Sequence, residues 1–521
     1  YHCDWGACDG ASTGINMYSG TGNANGGNNG VCWLYTDPSI TISGILYDTD
    51  GSTPYATVTA MKLSVEGATA LTTNSIITTG VFSFTAESAT AAGDDITIWL
   101  NTDGGIQGTL VFKYGTSCTG HTNCTGLSVV RNQVRLQNFH TGNIATTDLA
   151  ACDNDSGAGC ADADIGFTAN AGVLTMTWAT NKLNILSSTT FAPGGAVTTS
   201  DLELAGTLSS ASNVTVNGGD VTGVGTITHT GGTFLVDGDG SFGGNTAWTT
   251  NNLTFGDGSG ATTTTATGSG AITVSSTLSV ATAQILDAGS KTWYVDGTGS
   301  SFVTTGTFTP NTSTISYRNV TSAAPTNTTY YNVEFAPASG TPTYTPAAGT
   351  FAVTNNLTLA GAGAATLNFD TSDPTVDING VVTIGSGDTI VGSATGAFAV
   401  AGNWANSGTY TPSTGGTVTF DATSGTKTIN NNASSFYNLT MNGSGGTFEA
   451  TTNALTITND LTVTAGTFTT SSQNVTVGGN VSGAGTINLA SGTLEQVVAG
   501  ASRTFGEDSA IGAFTENLVD G

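Results

Sequence analysis

The sequence predicts an all-β chain, and three observations point there. Only 9% of its 521 residues are charged, against about 25% in an ordinary soluble domain. Glycine fills 73 positions and proline only 10. Short Val, Ile, Leu and Phe strings recur between Gly, Asn, Ser and Asp. Strong helix formers are scarce, which argues against a mainly helical fold. Glycine has no three-residue period, which excludes collagen. A 38% hydrophobic content with so little charge is the reverse of a disordered composition. Many short strands joined by tight turns remain.

Along the chain, residues 1–38 come first, with three cysteines and the stretch Ser19-Gly-Thr-Gly-Asn-Ala-Asn-Gly-Gly-Asn-Asn-Gly30, of linker-like composition. The chain starts at Tyr1 and reads as a mature chain after signal removal, or as a fragment of a longer one. Residues 39–115 read as a small Ig-like β-sandwich. Ile40–Tyr47 alternates with period two and is followed by the turn residues Asp48–Pro54. Further strands are predicted at 56–65, 81–85, 96–100 and 110–114. Residues 116–181 read as a connector with two cysteine loops.

From residue 182 the chain repeats itself. Asn213-Val-Thr-Val-Asn-Gly-Gly recurs as Asn474-Val-Thr-Val-Gly-Gly. Gly306-Thr-Phe-Thr-Pro310 recurs as Gly408-Thr-Tyr-Thr-Pro412, and Tyr330-Tyr331-Asn332 as Phe436-Tyr437-Asn438. Asn355-Asn-Leu-Thr-Leu359 matches Asn459-Asp-Leu-Thr-Val463. Other likenesses fall at unrelated offsets, such as Phe234-Leu-Val-Asp-Gly238 with Trp293-Tyr-Val-Asp-Gly297. Tandem β-sandwich domains are the alternative fold, but beads have no reason to repeat at several spacings. The turns of one coil do. Residues 182–500 therefore predict a parallel β-solenoid of about 16 turns, near 20 residues each. In such a coil like residues stack about 4.8 Å apart, so Thr, Ser and Asn replace charges that would repel, and Asn ladders bond along the axis. Residues 501–521 break the rhythm and read as a C-terminal cap or docking segment.

Two resemblances follow from these motifs. Residues 39–115, through "ISGILYDTDGSTPYATVTA", "TTGVFSFTA" and "AAGDDITIWL", resemble the carboxypeptidase-regulatory-like and Cna-B-like β-domains of bacterial surface proteins. In some of those domains a Lys–Asn isopeptide bond locks the first strand to the last, and the resemblance makes Lys62 and Lys113 the candidate lysines. The Gly-Thr-Phe/Tyr-Thr-Pro and Phe-Tyr-Asn-Leu-Thr-Met blocks resemble repeats of large bacterial cell-surface β-helix proteins.

Charge and chemistry narrow the function. A net charge of −27 with nine basic residues offers no surface for phosphates or anionic lipid. No apolar run is long enough to span a bilayer as a helix. All seven cysteines lie in the first 160 residues, which predicts an oxidising, extracellular setting. Local spacing favours Cys3–Cys8, Cys118–Cys124 and Cys152–Cys160, leaving Cys32 unpaired or joined to a neighbouring subunit. Cys118, His121 and Cys124 are too few for a closed zinc site. Asp153, Asp155, Asp162 and Asp164 alternate along the connector and are the candidate calcium ligands, against turn capping. Asp237, Asp239, Asp370, Asp373 and Asp377 read as turn aspartates. Catalytic residues and other cofactors are not predicted. The expected function is a non-enzymatic extracellular structural protein, a rod-like subunit of a filament or surface layer that binds copies of itself head to tail. The alternatives are an adhesin stalk presenting its N-terminal domain to glycans or another cell surface, and a β-helix polysaccharide-degrading enzyme.

Overall fold

The computed structural model describes residues 40–55, 60–67, 71–72, 79–86, 92–101, 106–115, 123–152, 164–178, 181–497 and 510–512. The chain divides into two compact units, 1–170 and 171–521.

In the first unit, Ile40–Tyr47 lies between Val81–Ala86, antiparallel, and Cys124–Val130, parallel. Its alternate residues Ile40, Ile42 and Leu46 are buried, as period-two patterning requires. A second sheet runs Leu71–Thr72, Ala60–Val65, Asp95–Asn101, Thr109–Lys113 and Gln133–Asn138; the last pair is parallel and the others antiparallel. Cys124–Val130 and Gln133–Asn138 lie in the segment read as a connector, which also carries the helix Thr146–Ala150. Their parallel pairing explains why the sequence hid them: no hairpin turn links a strand to a parallel neighbour.

The second unit is a β-solenoid of about 17 turns. Each early turn contributes three strands, for example Lys182–Ile185, Thr190–Phe191 and Val197–Thr199, and each pairs in parallel with its successor one turn on. The coil's stacking is read directly from register. On the first face Leu183, Leu202, Val221, Phe242 and Ala266 succeed one another. On the third, Leu174, Val197, Val214, Phe234, Leu253, Leu278 and Phe302 do the same. All of these side chains are buried, so each face presents an apolar ladder to the interior. The first face ends at Thr307–Thr309 and the third at Phe302–Thr304. Beyond them a new column begins with Thr343–Tyr344, Thr366–Asn368, Thr389–Val391 and Thr409–Thr411. The second face runs through this change of cross-section unbroken, from Ile272 through Trp293, Ile315, Val333, Leu357 and Val382 to Trp404.

Aromatic rings fill the interior on both sides of that change. Phe242 touches Trp248, Phe255 and Trp293 at centroid distances of 5.4, 5.2 and 6.2 Å. Further on, Tyr330, Phe351, Phe369, Phe398 and Trp404 follow one another at 5.4 to 5.9 Å. Each such pair adds about 0.5–1.5 kcal/mol beyond area burial.

The repeats seen in the sequence occupy equivalent corners. In both copies an asparagine carboxamide reaches back one turn: Asn355 Nδ2 donates to Asn332 Oδ1 at 2.9 Å, and Asn459 Nδ2 to Asn438 Oδ1 at 2.8 Å. The next residue hands the bond on, Asn356 Oδ1 accepting from Val381 N and Asp460 Oδ1 from Asn480 N. The Gly-Thr-aromatic-Thr motif is equally local. Gly306 and Gly408 pass so close to the preceding turn that a Cβ would lie 2.1 Å from Ala281 O and 2.2 Å from Gly385 O, respectively. The following threonine amides donate to Gln284 O and Asp388 O, 2.8 and 2.9 Å away.

Candidate functional site

Groups that could do chemistry fall into three sets. The first is in the N-terminal unit, where Asp95 and Lys113 face each other on paired strands. Lys113 Nζ lies 3.9 Å from Asp95 Oδ1 and 2.9 Å from Asp148 Oδ2, the latter carried by the short helix. Asp95 is 7% exposed, and burial pushes its carboxyl up to about 7. The neighbouring Asp148 charge adds to that rise, and Lys113 opposes it. The lysine that the family resemblance singled out thus faces carboxylates. Lys62 sits over the Trp99 ring, 5.8 Å from its centroid.

The second set lies inside the coil. Lys291 is 2% exposed, and its ammonium reaches back to Gly270 O at 2.8 Å and Gly244 O at 3.1 Å. Burial lowers its proton affinity to about 8. His229 is fully buried between three successive turns. Its Nε2 lies 2.9 Å from Ser212 O, and its Nδ1 accepts from Asn251 N at 3.3 Å. Burial holds it below the ordinary histidine range, against the pull of the Ser212 carbonyl.

The third set is the corner aspartates. Asp373 Oδ1 accepts from Ser393 Oγ and the amides of Ala394 and Thr395, and the Ser393 hydroxyl leads in holding its carboxyl down at about 2. Asp237 and Asp239 likewise accept amides from the next turn, those of Asp257 and Thr263. Asp370 is exposed, and Asp377 projects outward from Thr375–Ile378. The expectation that like charges avoid stacking has exceptions among the described residues, since Asp220 follows Asp201 up a corner and Asp257 follows Asp237. Burial and the Asp220 charge raise the Asp201 carboxyl, while Lys182 lowers it.

Of the candidate calcium ligands, Asp153, Asp155 and Asp162 lie outside the described residues, and Asp164 stands in a turn. Among the described residues no three His, Cys, Asp or Glu side chains gather to hold a metal. Cys124 and Cys152 are buried. Cys3, Cys8, Cys32, Cys118, Cys160 and His121 lie outside the described residues, so the pairing read from spacing rests on the sequence. Sequence reasoning missed Lys291 and His229 as buried groups. Its only available signal was a basic or titratable residue flanking an otherwise apolar strand, as in Lys291-Thr-Trp-Tyr-Val295.

Compared with protein-family models, curated proteins and solved structures, the chain matches none. Its class is set by its own geometry: a parallel β-solenoid that follows a smaller β-rich unit.

Proposed function

We propose that this chain is a non-enzymatic extracellular structural protein, a subunit that assembles with copies of itself through the ends of its coil. The observation that carries this reading is the uninterrupted register of the second face, in which each turn is the template for the next. Thr493–Gln496, the last strand of its column, has a strand neighbour on one side only among the described residues, and a head-to-tail contact through such an edge propagates into a fibre. The carboxylates of Asp237, Asp239 and Asp373 support it too, because they are engaged in holding adjacent turns together. The extracellular setting, the disulfides Cys118–Cys124 and Cys152–Cys160, the Ig-like identity of the N-terminal unit and the kinship with bacterial surface proteins belong to the same proposal. They rest on cysteine clustering and motif order.

Negative-stain electron microscopy of the purified chain tests it. Regular polymers whose mass rises with concentration are the expected result. Monodisperse single particles at every concentration would remove the assembly claim. The division into two compact units favours one second reading, an adhesin stalk whose first unit meets a glycan or another cell. Single particles that bind a glycan array through residues 1–170 alone would select it. Release of reducing sugar from a polysaccharide would overturn both.

A further inference from the structure

The inward column that closes the second face near its start is polar where the neighbouring columns are apolar. Ser210, His229 and Thr250 follow one another there, all buried, before Val274 and Val295 restore the apolar ladder. His229 has no freedom of tautomer. Asn251 N–H is a donor, so Nδ1 must carry a lone pair, and Nε2–H must then donate to Ser212 O. One neutral imidazole thus ties together the turns that carry Ser212, His229 and Asn251.

Among the described residues, the groups facing the ring are uncharged. The turn before it supplies Ser210, whose Oγ is spent on Ser212 O, and the Ser212 carbonyl itself. The turn after it supplies Thr250 and the Asn251 amide. Across the interior, the Phe234 ring meets it edge-on with centroids 5.8 Å apart. None of these groups titrates. Burial and the Ser212 carbonyl alone set the affinity of His229 for a proton.

We infer that His229 is an acid-sensitive latch: a second proton on its ring opens the corner that joins these three turns. Protonated Nδ1 would point a donor at the Asn251 donor, and the cation would have no counter-charge and no water. The bonds that would loosen with it are adjacent. Asn251 Nδ2 and Asn252 Nδ2 both donate to Gly232 O, at 2.9 and 3.1 Å, and the Asn252 amide donates to the same carbonyl. Opening releases the 229–233 corner from the 251–252 corner and leaves the later turns paired.

Hydrogen exchange of the full chain, read by mass spectrometry and corrected for intrinsic chemistry, tests the latch. Between pH 7.5 and 5.0, peptides covering 228–234 and 248–254 should lose at least tenfold in protection. Peptides covering 357–391 should change less than twofold. In His229→Gln, whose carboxamide supplies one donor and one acceptor, the acid response should vanish. Should that variant fail to fold, deuterium uptake at the His229 ring carbon of the unmodified chain gives its titration midpoint. That midpoint should coincide with the midpoint of opening. Unchanged protection down to pH 5.0, an acid response kept in His229→Gln, or two separated midpoints would each overturn the proposal.

Discussion

At the residue scale, two buried ionisable groups give the two units opposite pH dependences. The Asp95 carboxyl titrates near 7 in the folded chain and near 4 when unfolded, so the folded state holds the extra proton between those values. Its favourable contribution is complete below about pH 4 and is lost as pH rises to 7. The melting midpoint of the first unit should therefore fall between pH 5 and 8, and Asp95→Asn should flatten that slope. Lys291 works the other way. Its folded value of about 8 lies below the unfolded one near 10.4, so the folded state binds fewer protons between them and stability rises across pH 8–10. Lys291→Met removes the buried cation and leaves Gly244 O its bond from Gly270 N. Denaturant unfolding of that variant should show a gain of about 1–3 kcal/mol at pH 7 and no rise toward pH 9.5. Neither group was legible in the sequence. Lys291 appears there as one of a few scattered bases, and the backbone carbonyls that hold its ammonium, those of Gly244 and Gly270, lie a full turn or more away.

At the scale of the element, the corner decides whether a strand can repeat. Gly408 is required for space rather than for backbone freedom, because a side chain there would strike the Gly385 and Asp388 carbonyls. Gly408→Val should cost about 3 kcal/mol or more, read as a lower melting midpoint. Gly194→Ala, where nothing lies within 4 Å of the added carbon, should stay within about 0.5 kcal/mol. The Asn355 and Asn459 corners were legible as repeats because the same short sequence makes the same bonds in both. The change of strand column after Thr309 was not. Its strands, such as Thr343–Tyr344 and Thr366–Asn368, have the same Thr-rich composition as those they replace, and only register separates them.

At the scale of the whole molecule, the coil behaves as a one-dimensional stack in which the strands of each turn pair with those of the turns next to it. Leu357 and Val382 are register partners, so deleting residues 357–381 removes one full turn and joins Asn356 to an equivalent strand. That deletion should fold, with an unchanged β-type circular dichroism spectrum and a slightly lower unfolding midpoint. Deleting residues 357–368 would bring unlike positions into register and should give an insoluble product. The sequence foresaw about 16 turns of even size from the spacing of its motifs. It could not foresee strands at 124–138 that join the N-terminal sheets, since Gly126 at φ +77° and flanking cysteines look like loop.

Successive register partners lie as little as 17 residues apart, from Phe191 to Leu208, and as much as 25, from Leu357 to Val382. The rise per turn is fixed by backbone pairing, so every surplus residue must be accommodated sideways at a bend. Genetic insertions at the bends would thicken the molecule locally without lengthening it, and only whole added turns would extend its reach. A lineage of such proteins could vary its lateral surface freely while keeping its stacking distance constant.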